Sequence, residues 1–551
     1  MKINITFENN ETVAFDSGIL VSDVAKHYQS YMTNPILGCR INNQIVPMNF
    51  KLTHDTKIEF LDIFDRDGYK MYQAGLKYIF EVALKETLGK DAKVEYEHSV
   101  AKGLILTVSG ETLTKEYISL LKNRMASIIT EDIPFIRYEI NAIEAINYFN
   151  KINQKEKAQN IKNINATTIT LYKLKNNLNY YYSKMPYSTG SISKFDIVDL
   201  GHNHLALLYP SKLTKGQVPE YIHYEKVIEC FKANKNWLKL LNVPYAANIN
   251  EIIAKLKIGD FIRTCEMNFD NQICRITDNI IENDNIKYIM IAGPSSSGKT
   301  TTTKKIALAL ESKGLSPIIL STDDYFFNLE DTPIDPETGK PDLESIKAVD
   351  IDLFNQNIKD LMDEKEVMLP RYNFMTHKRE YVGEPVSLKE NSIVLIEGLH
   401  TLNNDLTPDI PDELKYRIYL SPFIPLNIDS HNYISTLDLR FLRRLARDVQ
   451  KRNRSIDFIF DSWRDVRNGE EKYIFPYIHQ ADIVINTALP YEIGVLKVLT
   501  EPLLLSVDVN SKFYEDARRL LDFLKIFYSI NNECVPNDSV IREFIGGSIF
   551  E

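Results

Sequence analysis

Cysteine is sparse in this chain. There are five in 551 residues (Cys39, Cys230, Cys265, Cys274 and Cys534), scattered, odd in number and without a C-x-x-C pair. That excludes a disulfide framework and a paired-thiol metal site, and the five read as reduced, buried thiols of a cytoplasmic protein. Long apolar runs are also missing. None reaches the roughly 18 residues that a membrane-spanning helix needs, so no membrane is expected. The opening MKINITFENN lacks the apolar core of a secretory signal. Nor is there an excess of positive charge. Lys and Arg number 65 against 75 Asp and Glu, a formal charge of -10, so bulk composition does not call for nucleic acid. No internal repeat or strong low-complexity tract appears. The remaining make-up, 44% hydrophobic and 25% charged, is that of a globular protein. The length gives roughly three or four domains.

The densest information lies at residues 288–303. Tyr288-Ile-Met-Ile-Ala292 reads as a short buried strand. It breaks into Gly293-Pro-Ser-Ser-Ser-Gly298-Lys299-Thr300, which fits G-x-x-x-x-G-K-[ST] without a mismatch, and a helical pattern follows to Lys313-Gly314. A glycine-rich turn opening a helix presents backbone N–H groups to an anion. Lys299 can reach terminal phosphates, and the Thr300 hydroxyl suits Mg²⁺.

Two further strands end in acids. Pro317 to Ser321 leads into Asp323-Asp324, and Ser392-Ile-Val-Leu-Ile leads into Glu397-Gly398. In a parallel α/β sheet ligands bind beyond the carboxyl ends of the strands. Asp323 or Asp324 is therefore placed to orient or deprotonate a hydroxyl acceptor, the other serving as a turn cap. Glu397 is placed to hold Mg²⁺ beside Thr300. Residues 329–346, polar and rich in Pro and Gly, read as a mobile loop over the site. Between the acids, Pro370-Arg-Tyr372-Asn-Phe374-Met-Thr-His377 mixes rings, imidazole and a cation. From Leu437 to Arg454, Arg440, Arg443, Arg444, Arg447, Lys451, Arg452 and Arg454 recur at helical steps. Opposite a phosphate loop, such a basic face suits neutralising a transferring phosphoryl.

This ordered set resembles the uridine kinase and phosphoribulokinase family, and is most similar to uridine–cytidine kinases, over residues 285–500. The resemblance implies that Asp323, rather than Asp324, is the catalytic base. It implies that Tyr372, Phe374 and His377 contact the nucleobase, with Arg440 near the substrate. Lys299, Arg443, Arg444 and Arg447 would act on the phosphoryl in transfer. Gly293, Ser295, Ser296, Ser297, Gly298, Lys299, Thr300 and Thr301 would bind the nucleotide, and Thr300 and Glu397 the Mg²⁺. The final strand near the adenine would lie in Tyr477 to Ile485. The acid that grips the ribose in that family aligns with Val349 here, leaving Asp342, Glu344 or Asp350 to replace it.

The front half resembles the front of threonyl-tRNA synthetases. Residues 1–63 match the strand–turn–strand–helix order of the ubiquitin-like TGS domain, and 64–215 the second, editing domain. Tyr69 and Tyr72 stand near its His pair and Met185 to Gly190 near its later His, so the metal ligands are lost. His202 and His204 read as loop or surface strand rather than as a metal site. Residues 151–182 are rich in Lys, Asn and Tyr, a mix that can stack single-stranded bases but reads more simply as solvated loops. A helical connector (216–284) precedes the kinase-like domain (285–505), and a helical tail (506–551) ends the chain. The whole order resembles bacterial fusion proteins described as nucleoside or uridine kinases.

The expected fold is α/β: a P-loop doubly wound parallel sheet behind two α+β domains. The expected activity is Mg²⁺-dependent transfer from ATP or GTP to a nucleoside hydroxyl, the 5′-OH of uridine or cytidine. The alternatives are another small hydroxyl acceptor, or a nucleotide-dependent RNA- or ribosome-associated regulator. Self-association stays open.

Overall fold

A computed structural model of the chain describes residues 1–100, 102–335, 339 and 341–550. Part of the expected loop at 329–346 thus lies outside the described residues.

The functional half is built on a five-stranded parallel sheet. Its order is Ser316–Ser321, Ser392–Gly398, Tyr288–Ala292, Lys415–Ser421, Ile483–Asn486. The phosphate-loop strand is therefore central, and all five of its residues are buried. Alternate side chains take opposite faces of the sheet. Ile289, Ile291, Ile393, Leu395, Ile418 and Leu420 pack on one face with helices Ile258–Ile281 and Lys299–Glu311. Tyr288, Met290, Val394, Ile396 and Leu320 pack on the other with helix Ile351–Met362. Both faces being covered explains why these strands read as continuous apolar runs.

Among the described residues the front half contains a five-stranded, a four-stranded and a three-stranded sheet, with a short pair of Ile19–Leu20 and Lys51–Leu52. Strands Lys2–Thr6 and Thr12–Asp16 form a hairpin, and Lys2–Thr6 pairs in parallel with Thr56–Leu61 beside Gly38–Ile41 and Gln44–Val46. Helix Val21–Tyr28 covers this sheet, entered from the short strand Ile19–Leu20 and closed by a 3-10 turn, Gln29–Tyr31. The long helix Arg66–Leu88, capped by the Asp65 side chain, lies on an antiparallel sheet of Lys93–Val100, Gly103–Ser109, His204–Leu208 and Asp196–Asp199. Strands Ile136–Asn141, Thr168–Leu174 and Asn177–Asn179 carry helices Ala142–Lys151 and Lys155–Ile164.

A short hairpin of the functional half, Asn427–Asp429 with Asn432–Tyr433, docks into the front half. Asn427 Nδ2 donates to the Tyr96 carbonyl at 2.8 Å and Asn160 Nδ2 to that of Ile428 at 2.7 Å. Lys77 Nζ donates to the His431 carbonyl at 3.2 Å. The His431 ring contacts Lys157 and Asn179. Burial would raise the Glu81 carboxyl, but His431, Lys85 and Lys157 outweigh it and bring it to about 2.

Two cysteines depart from expectation. Cys274, on the open face of its helix, and Cys534, in a 3-10 turn, are exposed rather than buried. His202 lies in a left-handed turn and His204 opens a strand, its Nδ1 3.0 Å from Thr107 Oγ1. Among the described residues no three His, Cys, Asp or Glu side chains gather as a metal site. No helix among them is long and apolar enough to cross a membrane.

Candidate active site

The central strand delivers the chain to Gly293, and helix Lys299–Glu311 leaves from Gly298. Ser296 and Gly298 have φ of 60° and 85°, so the loop turns back on itself through left-handed positions. Ser296 and Ser297 are buried, and their hydroxyls meet no partner among the described residues. Such orphaned hydroxyls are costly unless a ligand satisfies them. The Lys299 ammonium reaches back toward the Pro294 carbonyl at 3.5 Å.

Glu397 sits on the strand between the phosphate-loop strand and the Asp323 strand, level with Ile291 on one side and Ser321 on the other. Thr300 Oγ1 donates to Glu397 Oε1 at 3.1 Å. Burial pushes the Glu397 carboxyl up to about 7. The Lys299 charge opposes this rise, while Asp323 and Glu543 add to it. A hydroxyl and a carboxylate are ligands for a hard cation, and a buried carboxylate short of positive charge gains from one. The pair fits Mg²⁺.

The two adjacent acids are separated by their contacts. Asp324 Oδ1 accepts from the Tyr372 amide at 3.0 Å, and burial raises its carboxyl. Among the described residues the Asp323 carboxylate takes no hydrogen bond from the protein, and its charge is felt by Glu397, Glu344 and Arg452. Thr322 approaches Gly398 so closely that any Cβ there would collide with its side chain. The glycine after Glu397 is what lets the two strand ends converge.

The arginine helix spans Thr436–Lys451, and its basic residues divide into two sets by their partners. Arg440 and Arg443 are buried, at 2% and 0% exposure. Arg440 pairs with Glu470 through both terminal nitrogens, and its Nε donates to the Ser295 carbonyl at 2.9 Å. Arg443 Nε donates to Glu492 at 2.8 Å, and its terminal nitrogens to the carbonyls of Thr487 (2.7 Å) and Ser296 (3.4 Å). A buried guanidinium needs a carboxylate partner, and with Glu470 and Glu492 in that role the two arginines also hold the loop by its Ser295 and Ser296 carbonyls. Arg444, Arg447 and Arg452 instead crowd one carboxylate, Asp448, at 3.5, 2.7 and 3.7 Å. Three cations on one anion leave a surplus of positive charge, which Glu543 at 4.0 Å from Arg447 offsets only in part. Arg444 Nε and one terminal nitrogen of Arg447 are buried without a hydrogen-bond partner among the described residues.

On the acceptor side the hairpin Pro370–Asn373 with Lys378–Tyr381 is tied to Asp324 through Tyr372. The Tyr372 ring is 5% exposed, edge-on to Phe326 and Phe374, and its hydroxyl is buried without a partner among the described residues. Arg452 lies 4.9 Å over the Phe374 ring. His377 takes a left-handed conformation with Nε2 3.2 Å from Arg454. Of the three acids weighed as a replacement for the ribose-gripping one, two are occupied. Asp350 caps helix Ile351–Met362 and pairs with Arg379 at 2.9 Å, and Asp342 accepts from Tyr473 at 2.9 Å. Glu344 packs against Gly469 beside the site, and burial pushes its carboxyl up to about 8, with Glu470 and Asp323 adding to the rise. Val349 is buried in the core.

Sequence reasoning missed Glu470, Glu492, His400 and Glu543. Glu470 and Glu492 have no local pattern, being set by pairing across 30 and 49 residues. His400 follows the Glu397-Gly398 strand end, and burial brings its imidazole down to about 4. Glu543 comes from the tail, where its side chain reaches Thr301.

The profile described as Phosphoribulokinase / Uridine kinase family matches residues 288–492. The uridine kinase of Staphylococcus aureus strain JH9 is 33% identical over 198 residues, 36% of this chain and 86% of that protein. The uridine kinase of strain Newman matches to the same degree. A solved structure described as "a Possible Uridine Kinase from Bacillus stearothermophilus" is 18% identical, with a TM-score of 0.27, over 39% of this chain and 98% of that one. That TM-score is low, and the assignment rests on the sequence match. With the loop, the paired acids and the arginine helix in the matched span, the chain belongs to the phosphoribulokinase / uridine kinase family.

Proposed function

We propose that the protein transfers the terminal phosphoryl of ATP or GTP to a hydroxyl of a nucleoside, the 5′-OH of uridine or cytidine. The observation that carries this reading is Asp323. Its carboxylate is free of protein hydrogen bonds among the described residues and close enough to Glu397 for the two charges to interact. In this reading Asp323 orients the acceptor hydroxyl and takes its proton as the new P–O bond forms. Lys299 and the first-turn amides hold the phosphates in line. Arg444 and Arg447, with surplus positive charge, neutralise the equatorial oxygens. Arg440 and Arg443 act through the loop, by fixing the Ser295 and Ser296 carbonyls. Thr300 and Glu397 would hold Mg²⁺, which would supply neutralisation of phosphate charge. In this reading the segment of Tyr372, Phe374 and His377 is the one that contacts the acceptor's base.

The test is a coupled kinase assay over a panel of nucleosides with ATP and GTP. Asp323→Asn is expected to lower turnover by about 10²–10⁴ while leaving nucleotide affinity within a few fold. Unchanged turnover would sink the assignment of the base.

One observation favours a second acceptor. With Val349 in the core and Asp350 and Asp342 engaged, Glu344 is the acid left near the acceptor side, and it is held largely protonated at neutral pH. A neutral carboxyl recognises a diol differently from a carboxylate, which supports a small sugar-like alcohol. Turnover of such an alcohol with none of any nucleoside would decide for it. The front half is proposed to be a TGS-like domain followed by an editing-like scaffold. The hairpin–helix order and the parallel pairing of Lys2–Thr6 with Thr56–Leu61 support this.

A further inference from the structure

The C-terminal segment runs back across the phosphate cradle. Val540, Ile541 and Phe544 are fully buried. Val540 presses on Gly298, with its Cγ1 2.5 Å from where a Cβ there would stand. Phe544 lies 4.9 Å from the Arg443 guanidinium. Polar contacts tie the segment down on both sides. Lys305 donates to Asp538 at 2.9 Å, Lys304 reaches the Phe550 carbonyl, and Lys451 donates to the Glu543 carbonyl at 2.8 Å.

From this strap one carboxylate turns inward. Glu543 Oε2 accepts from Thr301 Oγ1 at 3.2 Å and stands 3.5 Å from the Thr301 amide, and Oε1 lies 4.0 Å from Arg447. The Glu543 side chain is 17% exposed. The Thr302 amide bonds back to the Gly298 carbonyl at 3.1 Å, so the helix ladder begins there and leaves Thr301 among the free donors of the first turn. Those donors are the ones a helix N-terminus offers to a phosphate. The same carboxylate adds to the upward push on Glu397 on the other side of the loop.

We propose that the C-terminal strap is a displaceable cover of the phosphate cradle, in which Glu543 stands in for a phosphate of the nucleotide. The inference rests on the reading of the loop as a nucleotide site. Two anions cannot share the Thr301 hydroxyl and amide and the Arg447 guanidinium, so nucleotide binding and strap seating compete. By linkage, whatever lifts the strap raises nucleotide affinity by the factor by which nucleotide loosens the strap.

The experiment is calorimetric titration of the full chain with ATP and with ADP, comparing wild type and Glu543→Gln. Glutamine keeps the shape and removes the charge. The variant is expected to bind about tenfold more tightly, about 1.4 kcal/mol. In wild type, saturating ATP is expected to speed hydrogen exchange at the amides of residues 541–546. Equal or weaker binding by the variant, or increased protection of the strap on adding ATP, overturns the proposal. If the variant melts early, exchange in wild type decides alone. If neither protein binds any nucleotide, the nucleotide reading falls and the strap with it. If wild type binds nucleotide with no response in the strap, only the strap falls.

Discussion

Glu344 shows how the site sets the state of a single group. Its carboxyl is raised to about 8 by burial, then by the charges of Glu470 and Asp323, against the opposing pull of Arg444 and Lys299. The unfolded chain releases this proton near pH 4.5, whereas the folded chain keeps it until about pH 8. Between these values the folded state binds more protons, so stability falls as pH rises. The contribution is fully present below pH 4.5 and is lost as pH passes 8. Glu344→Gln mimics the protonated form. Its melting temperature is expected to fall less than that of wild type between pH 5.5 and 8.5, followed by thermal unfolding in matched buffers. Parallel curves for the two proteins would show that Glu344 is not held protonated.

At the scale of elements, the arginine helix divides its work by face. Arg443 and Glu492 form a buried pair, at 0% and 1% side-chain exposure, beneath the phosphate loop. Removing one partner of such a pair strands the other charge. Arg443→Met is expected to cost about 3–5 kcal/mol in denaturant unfolding, and Arg443→Met/Glu492→Leu to regain a large part of it. A double variant no more stable than the single one would mean that the pair is not the source of the loss. Periodicity placed the arginines on a helix, and the G-x-x-x-x-G-K-T match, the strand-end acids and their order were legible because each is a local pattern. What the helix faces was not. Nothing near Arg440 or Arg443 in the sequence points to Glu470 or Glu492, and only tertiary pairing separates them from Arg444 and Arg447. The hairpin Asn427–Tyr433 carries no apolar period to announce it, because its side chains are chosen for polar contacts with the distant front half. For the same reason the tail read as a helical end, although its Glu543 lies against the loop.

Across the whole molecule, buried polar groups run through the contact between the two halves, beside apolar contacts such as Tyr182 against Phe523. Glu81 accepts from Tyr181 at 3.0 Å and Lys85 at 2.7 Å and contacts Asn179, and its carboxylate lies 3.5 Å from the His431 ring. Lys157 is wholly buried beside His431 and Asp429, and Arg66 of the front half pairs with Asp516 of the functional half at 2.7 Å. Such networks are costly when half satisfied. Glu81→Ala is expected to lower stability by about 3–5 kcal/mol and to split unfolding into two calorimetric transitions. A single transition at the wild-type temperature would show that the halves do not depend on this contact.

The docked hairpin has a practical consequence for anyone dissecting the chain. Only Ile434 and Ser435 separate it from the helix that carries Arg440, Arg443, Arg444 and Arg447. A fragment starting at residue 285 would retain the whole family match, yet His431 would lose Lys157 and Asn179, and Asn432 its bond to the Tyr180 carbonyl. Such a fragment is therefore expected to be less stable than the full chain, which thermal unfolding of the two side by side would show.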